Sequence, residues 1–167
     1  GSLTLNGNAV DNGDVIEIAE IGNLVFAPAA NANGNSYATV TFQVTDDGGT
    51  ANGGQDTDQS VNTITFNVTA VNDAPAGSDN TITLLEDGSH TFTAADFGFS
   101  DPNDTQGDSF QSVTITNTAS AGSLTLNGNA VDNGDVIEIA EIGNLVFAPA
   151  ANANGNSYAT VTFQVTD

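Results

Sequence analysis

Aspartate and asparagine are concentrated in two stretches whose spacing suits a hard cation. Residues 100–108 read Ser100-Asp101-Pro102-Asn103-Asp104-Thr105-Gln106-Gly107-Asp108. Residues 46–58 carry Asp46, Asp47, Asp56 and Asp58, with Gly48, Gly49, Gly53 and Gly54 between them. Calcium takes six to eight oxygens at roughly 2.3–2.6 Å, from carboxylates, amides and backbone carbonyls. Acidic and amide side chains two or three positions apart supply such oxygens from one loop, and glycine lets carbonyls turn inward. Magnesium prefers a water-rich octahedron. Soft-metal sites are excluded, since the chain has no cysteine and one histidine, His90. Asp and Asn also serve as plain turn formers. The case for calcium is therefore the convergence of several acidic segments in a chain that has no cation of its own.

Other reactive types are poorly placed for chemistry. His90 stands on a strand pattern with no nucleophile beside it, which reads as a surface histidine rather than part of a triad. Glu17 and Glu20 are spaced like many solvated pairs, and spacing alone does not make a glycosidase. Tyr37 and Tyr158 could stack on a sugar, but strand packing is the ordinary reading. No constellation supports an enzyme.

Charge narrows the partners. The 167 residues include 21 acidic side chains and neither lysine nor arginine, a formal charge of −21. Nothing here could neutralise phosphates, so nucleic acid is excluded as a partner, and anionic membrane surfaces are disfavoured. Acidic chains are often disordered. This one is 38% hydrophobic with β-branched residues in alternation, enough to bury a core. The carboxylates repel one another, and without disulfides a bound divalent ion is the available clamp. No apolar run is long enough to insert in a membrane.

Those loops must be held by strands. Alternation of period two marks 61–68 (VNTITFNV), 81–85 (TITLL), 90–93 (HTFT), 112–117 (SVTITN), 123–126 (SLTL), 136–139 (VIEI), 145–148 (LVFA) and 159–165 (ATVTFQV). Between them Asn127-Gly128, Asn133-Gly134, Asp87-Gly88 and Gly53-Gly54 mark tight turns. At most one helical turn fits, at 94–96. The pattern predicts an all-β sandwich.

Residues 1–46 recur without change as residues 122–167, so residue n has a twin at n + 121. The offset is too long for a solenoid repeat and fits a whole domain. Val71-Asn72-Asp73-Ala74-Pro75 reads as a stiff linker between modules, proline fixing an extended geometry. Residues 1–73 are then the C-terminal part of one module, without its opening strands. Residues 74–167 are the N-terminal part of the next, without its closing strand. If successive strands alternate in direction, loops 46–58 and 100–108 fall at one end of a module. The linker residues Asn72 and Asp73 enter there, and Glu86 lies at the other end. Unpaired edges of this kind are templates for strand addition, which predicts that missing strands come from elsewhere, most simply head-to-tail from neighbouring copies; the alternative is that residues 1–121 close up within one chain as a circular permutant, leaving 122–167 redundant.

Val71-Asn72-Asp73-Ala74-Pro75, Glu86-Asp87-Gly88, residues 97–104 (FGFSDPND) and residues 44–49 (VTDDGG) together resemble the bacterial cadherin-like and VCBS-type extender repeats of large RTX adhesins. The likeness spans the chain. It implies an immunoglobulin/cadherin-like Greek-key sandwich, repeated in tandem, secreted to the cell surface and stiffened by Ca2+. By this resemblance Glu86 serves the junction to the following module, and Asp73, Asp101 and Asp104 the junction with the preceding one. The family's Asp-Pro-Asp-Gly-Asp is here Asp101-Pro102-Asn103-Asp104-Thr105, which shifts the ligand register. The implied role is structural and adhesive, the alternative being a module that itself binds carbohydrate or a cell surface.

Overall fold

The computed structural model describes residues 1–104 and 108–167. Among them the chain forms two compact units, Gly1–Val71 and Asn72–Asp167. Both are built from antiparallel strands, with helix confined to short 3-10 turns.

In unit 1 the strands are β1 (Ser2–Leu5), β2 (Asn8–Ala9), β3 (Leu24–Ala27), β4 (Gly34–Phe42) and β5 (Asn62–Val68). They form one sheet of order β2-β1-β3 and a β4-β5 ribbon. Asn6-Gly7 turns β1 into β2 with φ of 52° and 82°, the positive pair a two-residue hairpin requires. The ring of Phe26 stacks on Phe66 of β5 at 4.2 Å. Across the ribbon Ala38 faces Phe66 and Phe42 faces Asn62.

In unit 2 the strands are β6 (His90–Thr91), β7 (Ser112–Asn117), β8 (Ser123–Leu126), β9 (Asn129–Ala130), β10 (Val136–Glu138), β11 (Leu145–Ala148) and β12 (Thr162–Thr166). One sheet runs β10-β7-β12 and the other β6-β11-β8-β9. Both sheets feed one core: Val113, Ile115 and Ile137 from the first, Leu124 and Leu145 from the second. Phe92, Phe97, Val131 and Ile142 complete it. Phe97 ends a 3-10 turn (Ala94–Phe97) and sits edge-on to Phe163 of β12 at 4.9 Å.

Three expected strands are corrected, the one at 159–165 beginning only at Thr162 and running to Thr166. The stretch 81–85 joins no ladder among the described residues, although Ile82 and Leu84 are half-buried. The strand at 90–93 stops after Thr91, because the Thr93 N–H donates to the Asp96 carboxylate at 2.8 Å and starts the 3-10 turn. The strands at 112–117, 123–126 and 145–148 stand as read.

The twinned stretches adopt the same turns but not the same burial. Every fully buried hydrophobic residue among those described lies between Phe92 and Leu145, so unit 1 has none. Ile142 is 2% exposed and its twin Ile21 is 54% exposed. Ile137 is wholly buried in β10, whereas its twin Ile16 is half-buried and outside any strand. The difference is residues 72–121, which supply β6, β7 and Phe97 to unit 2. Truncating a core isoleucine to alanine costs about 2–5 kcal/mol, while exposed changes usually stay within about 0.5 kcal/mol. Ile142→Ala should therefore destabilise unit 2 by ~3 kcal/mol in denaturant titrations. Ile21→Ala, the same change in the same local sequence, should leave unit 2 unmoved.

Candidate metal centre

Four aspartates of unit 2, Asp101, Asp104, Asp108 and Asp167, each direct a carboxylate oxygen to one place, all within 4.8 Å of one another. Oxygens on opposite sides of a calcium ion stand about 4.6–5.2 Å apart, twice the bond length. The group has the dimensions of one coordination sphere.

The fold brings them there by three routes. Asp101 follows Ser100, which exchanges two backbone hydrogen bonds of 2.8 Å with Ala76. Asp167 follows the last residue of β12, and the Gln111 N–H donates to the Thr166 carbonyl at 2.8 Å. That bond closes the β7/β12 ladder beside the segment carrying Asp108. Asn72 and Asp73 arrive with the opening of unit 2: the Asn72 amide donates to Asp167 Oδ2 at 3.2 Å, and the Asp73 N–H donates to Asp104 Oδ2 at 2.9 Å.

Asp101 is the anomaly. Both of its carboxylate oxygens are shielded from solvent and have no hydrogen-bond partner among the described residues. Burial raises its pKa above the ordinary value, and the neighbouring charges of Asp104, Asp167 and Asp108 raise it further. A buried acceptor without a donor is rare in folded proteins and calls for an explanation. A cation is the partner that such a set of oxygens fits.

The sequence-predicted ligands divide sharply. Asp101, Asp104 and Asp108 come together; the Asn72 amide reaches Asp167, and Asp73 reaches Asp104 through its backbone N–H rather than its carboxylate. Asn103 is exposed. Thr105, Gln106 and Gly107 of that loop, and with them the register of the departed motif, lie outside the described residues.

Glu86 lies elsewhere. It accepts from the Asn154 amide at 2.9 Å while Asp87 accepts from the Asn152 N–H at 2.7 Å, so the pair holds the 150–154 turn. In unit 1 the loop 46–58 is knit to itself. The Asp46 N–H donates to the Asp56 carbonyl at 2.8 Å, and Asp46 Oδ1 accepts from the Gly48 N–H at 2.8 Å. Asp58 is held below its usual pKa by the Ser60 N–H, the Ser60 hydroxyl and the Asn62 amide. Asp47 is exposed. Among the described residues none of these joins a cluster of three or more histidine and carboxylate side chains.

Asp167 is the member that reading the loops one by one misses. Its signal was present, because it is the twin of Asp46. His90 is half-buried rather than on the surface: its Nε2 lies 3.2 Å from Asp96 Oδ2 and its ring stands edge-on to Phe92 at 5.0 Å. Burial raises the Asp96 pKa, but hydrogen bonds from Thr93 and His90 outweigh it, so the net shift is downward. Each tyrosine hydroxyl accepts a backbone N–H at 3.1 Å, Tyr37 from Ala29 and Tyr158 from Ala150.

No family model, curated protein or solved structure matches the chain. Among the described residues no helix is long and apolar enough to cross a membrane.

The direction of the Asp101 shift gives a pH signature. A carboxyl whose pKa is higher folded than unfolded favours the folded state while protonated, and that contribution is lost as pH rises through the folded value. Ion-free protein should thus gain stability from Asp101 as pH falls from neutral toward the aspartate range near 4. Asp58 and Asp96 are shifted down, so their contributions are lost only below that range. Melting curves in chelator should show Asp101→Asn more stable than wild type at pH 7, the difference shrinking on acidification. Parallel curves would place the strain elsewhere.

Proposed function

We propose that Asp101, Asp104, Asp108 and Asp167 hold a calcium ion that fixes the segment through which the chain enters unit 2. The observation that carries the reading is the Asp101 carboxylate, shielded from water on both oxygens with no donor among the described residues. Oxygen-only chemistry and the spread of the group fit calcium better than a soft metal. Asn72 and Asp73, bonded to two of the four carboxylates, tie the entering strand to the ion's ligands. One ion removes the mutual repulsion of the cluster and makes a flexible entry stiff.

On this reading the chain is a structural, adhesive extender segment of a secreted bacterial surface protein. Its units are parts of an immunoglobulin/cadherin-like Greek-key sandwich repeated in tandem every 121 residues. What supports this is the twinned stretch of sequence, the antiparallel all-β architecture, and the cadherin-like and VCBS-like phrases around Asn72–Pro75 and Asp101–Asp104.

An ion that binds only the folded state stabilises it by ~2.7 kcal/mol at a hundred-fold excess over Kd. Calcium should therefore raise the melting temperature of unit 2 by roughly 10 °C or more, and magnesium should do less. Asp104→Asn and Asp167→Asn should each weaken calcium binding in isothermal titration, whereas Glu86→Gln should not. A melting temperature indifferent to calcium and chelator would end the proposal.

A further inference from the structure

Two Asn-Gly pairs of unit 2, Asn127-Gly128 and Asn133-Gly134, stand in contrasting surroundings. Asn-Gly is a dipeptide prone to rearrange by itself, because glycine has no Cβ to keep its nitrogen away from the asparagine side chain. The reaction needs a glycine N–H free to give up its proton and a side-chain amide free to turn. It also needs a backbone loose enough to bring the two together.

At Asn133-Gly134 both reacting groups are occupied. The Gly134 N–H donates to the Ile115 carbonyl at 2.7 Å, and Asn133 Oδ1 accepts from the Thr118 N–H at 2.7 Å. Ile115 is wholly buried in β7, the central strand of its sheet. Freeing Gly134 therefore means pulling the turn off the core. Two further bonds fasten it: the Asp135 N–H donates to the Asp132 carbonyl at 3.2 Å, and the Asp132 N–H to Asp135 Oδ2 at 2.8 Å.

At Asn127-Gly128 neither group is held. Both residues are exposed, and among the described residues the Gly128 N–H and the Asn127 side chain have no hydrogen-bond partner. The pair turns β8 into β9 with φ of 51° and 81°. β9 is two residues long and forms the edge of the β6-β11-β8-β9 sheet. Opening the turn releases the Thr125–Ala130 and Leu126–Asn129 pairings, and short edge segments open locally more often than core strands.

We propose that Asn127 is a self-modification site, at which the chain converts asparagine to aspartate and isoaspartate with water as the only reactant. The Gly128 nitrogen gives its proton to a solvent base and attacks Cγ of Asn127. The N–Cγ bond forms and the Cγ–Nδ2 bond breaks; the proton returns to the leaving group, which departs as ammonia. Water then opens the cyclic imide at Cγ, giving aspartate, or at the main-chain carbonyl, giving isoaspartate. Nothing is oxidised or reduced. The product adds a carboxylate to a chain with no lysine or arginine to offset it. Isoaspartate also lengthens by one atom a two-residue turn whose geometry sets the β8–β9 register. The ion-binding cluster takes no part, so the two proposals stand or fall separately.

The test holds the wild-type chain folded in mildly alkaline buffer, samples it over days and cuts it with a glutamate-specific protease. Cleavage after Glu86 and Glu138 releases residues 87–138, which carry both asparagines on one peptide distinct from the twin stretch. Fragmentation mass spectrometry should find the amide-to-acid mass gain at Asn127. At Asn133 it should accumulate roughly thirty-fold more slowly, the retardation expected of two ordinary hydrogen bonds. In denaturant, where only the dipeptide matters, the two rates should converge. An Asn127→Gln chain should lose the fast phase and keep the slow one. Equal rates in the folded chain, a faster Asn133, or no conversion at Asn127 in the folded chain would each overturn the proposal.

Discussion

A strand forms only where a second segment pairs with it, and the two copies of the twinned stretch do not have the same neighbours. The twinned stretches, residues 1–46 and 122–167, are chemically the same peptide. Yet Ile137 lies in a strand and Ile16 does not, and the strand made by the GNSYATVTFQVT sequence spans Gly34–Phe42 in one place and Thr162–Thr166 in the other. Each difference coincides with the presence or absence of a neighbour: β7 is present only in unit 2 and β5 only in unit 1. Propensity makes these segments able to form strands, but burial and a ladder partner decide whether they do.

Charge imposes the second constraint. With no lysine or arginine in the chain, every carboxylate must be satisfied by backbone N–H groups, side-chain amides, hydroxyls, His90, water or a bound ion. Most find a local answer. Asp14 accepts the Asp11 N–H and its twin Asp135 accepts the Asp132 N–H, both at 2.8 Å, whatever the burial of the surroundings. Asp101 has no such answer, because its loop is held by Ala76 on one side while Asp104, Asp108 and Asp167 crowd the other. Local turns can absorb single charges. Four converging carboxylates cannot absorb one another.

This division also explains how far the sequence could be read. Turns were legible because their causes are local: Asn127-Gly128 adopts φ of 51° and 81°, and its twin Asn6-Gly7 does the same without a core behind it. The loop carboxylates Asp101, Asp104 and Asp108 were legible for the same reason. Asp167 was obscured by standing one residue past a strand, and only its identity with Asp46 marked it. The absence of a strand at 81–85 was not legible, since TITLL alternates as well as any true strand here. Whether an alternating segment pairs depends on what lies alongside it, and no local pattern records that. The half-burial of His90 escapes a local reading on the same account: its partner Asp96 is close in sequence, but its packing against Phe92 is set by the core.

The repeat therefore does more than mark duplication. It places the same residues in two surroundings, so that what differs between the twins measures tertiary structure and what agrees measures local chemistry. Tyr37 and Tyr158 bind the same backbone N–H at the same 3.1 Å, a local lock. Ile21 and Ile142 differ in exposure by about half the side chain, a tertiary effect. The same peptide thus carries complete local signals in both places, and its neighbours decide which of them become strand and core.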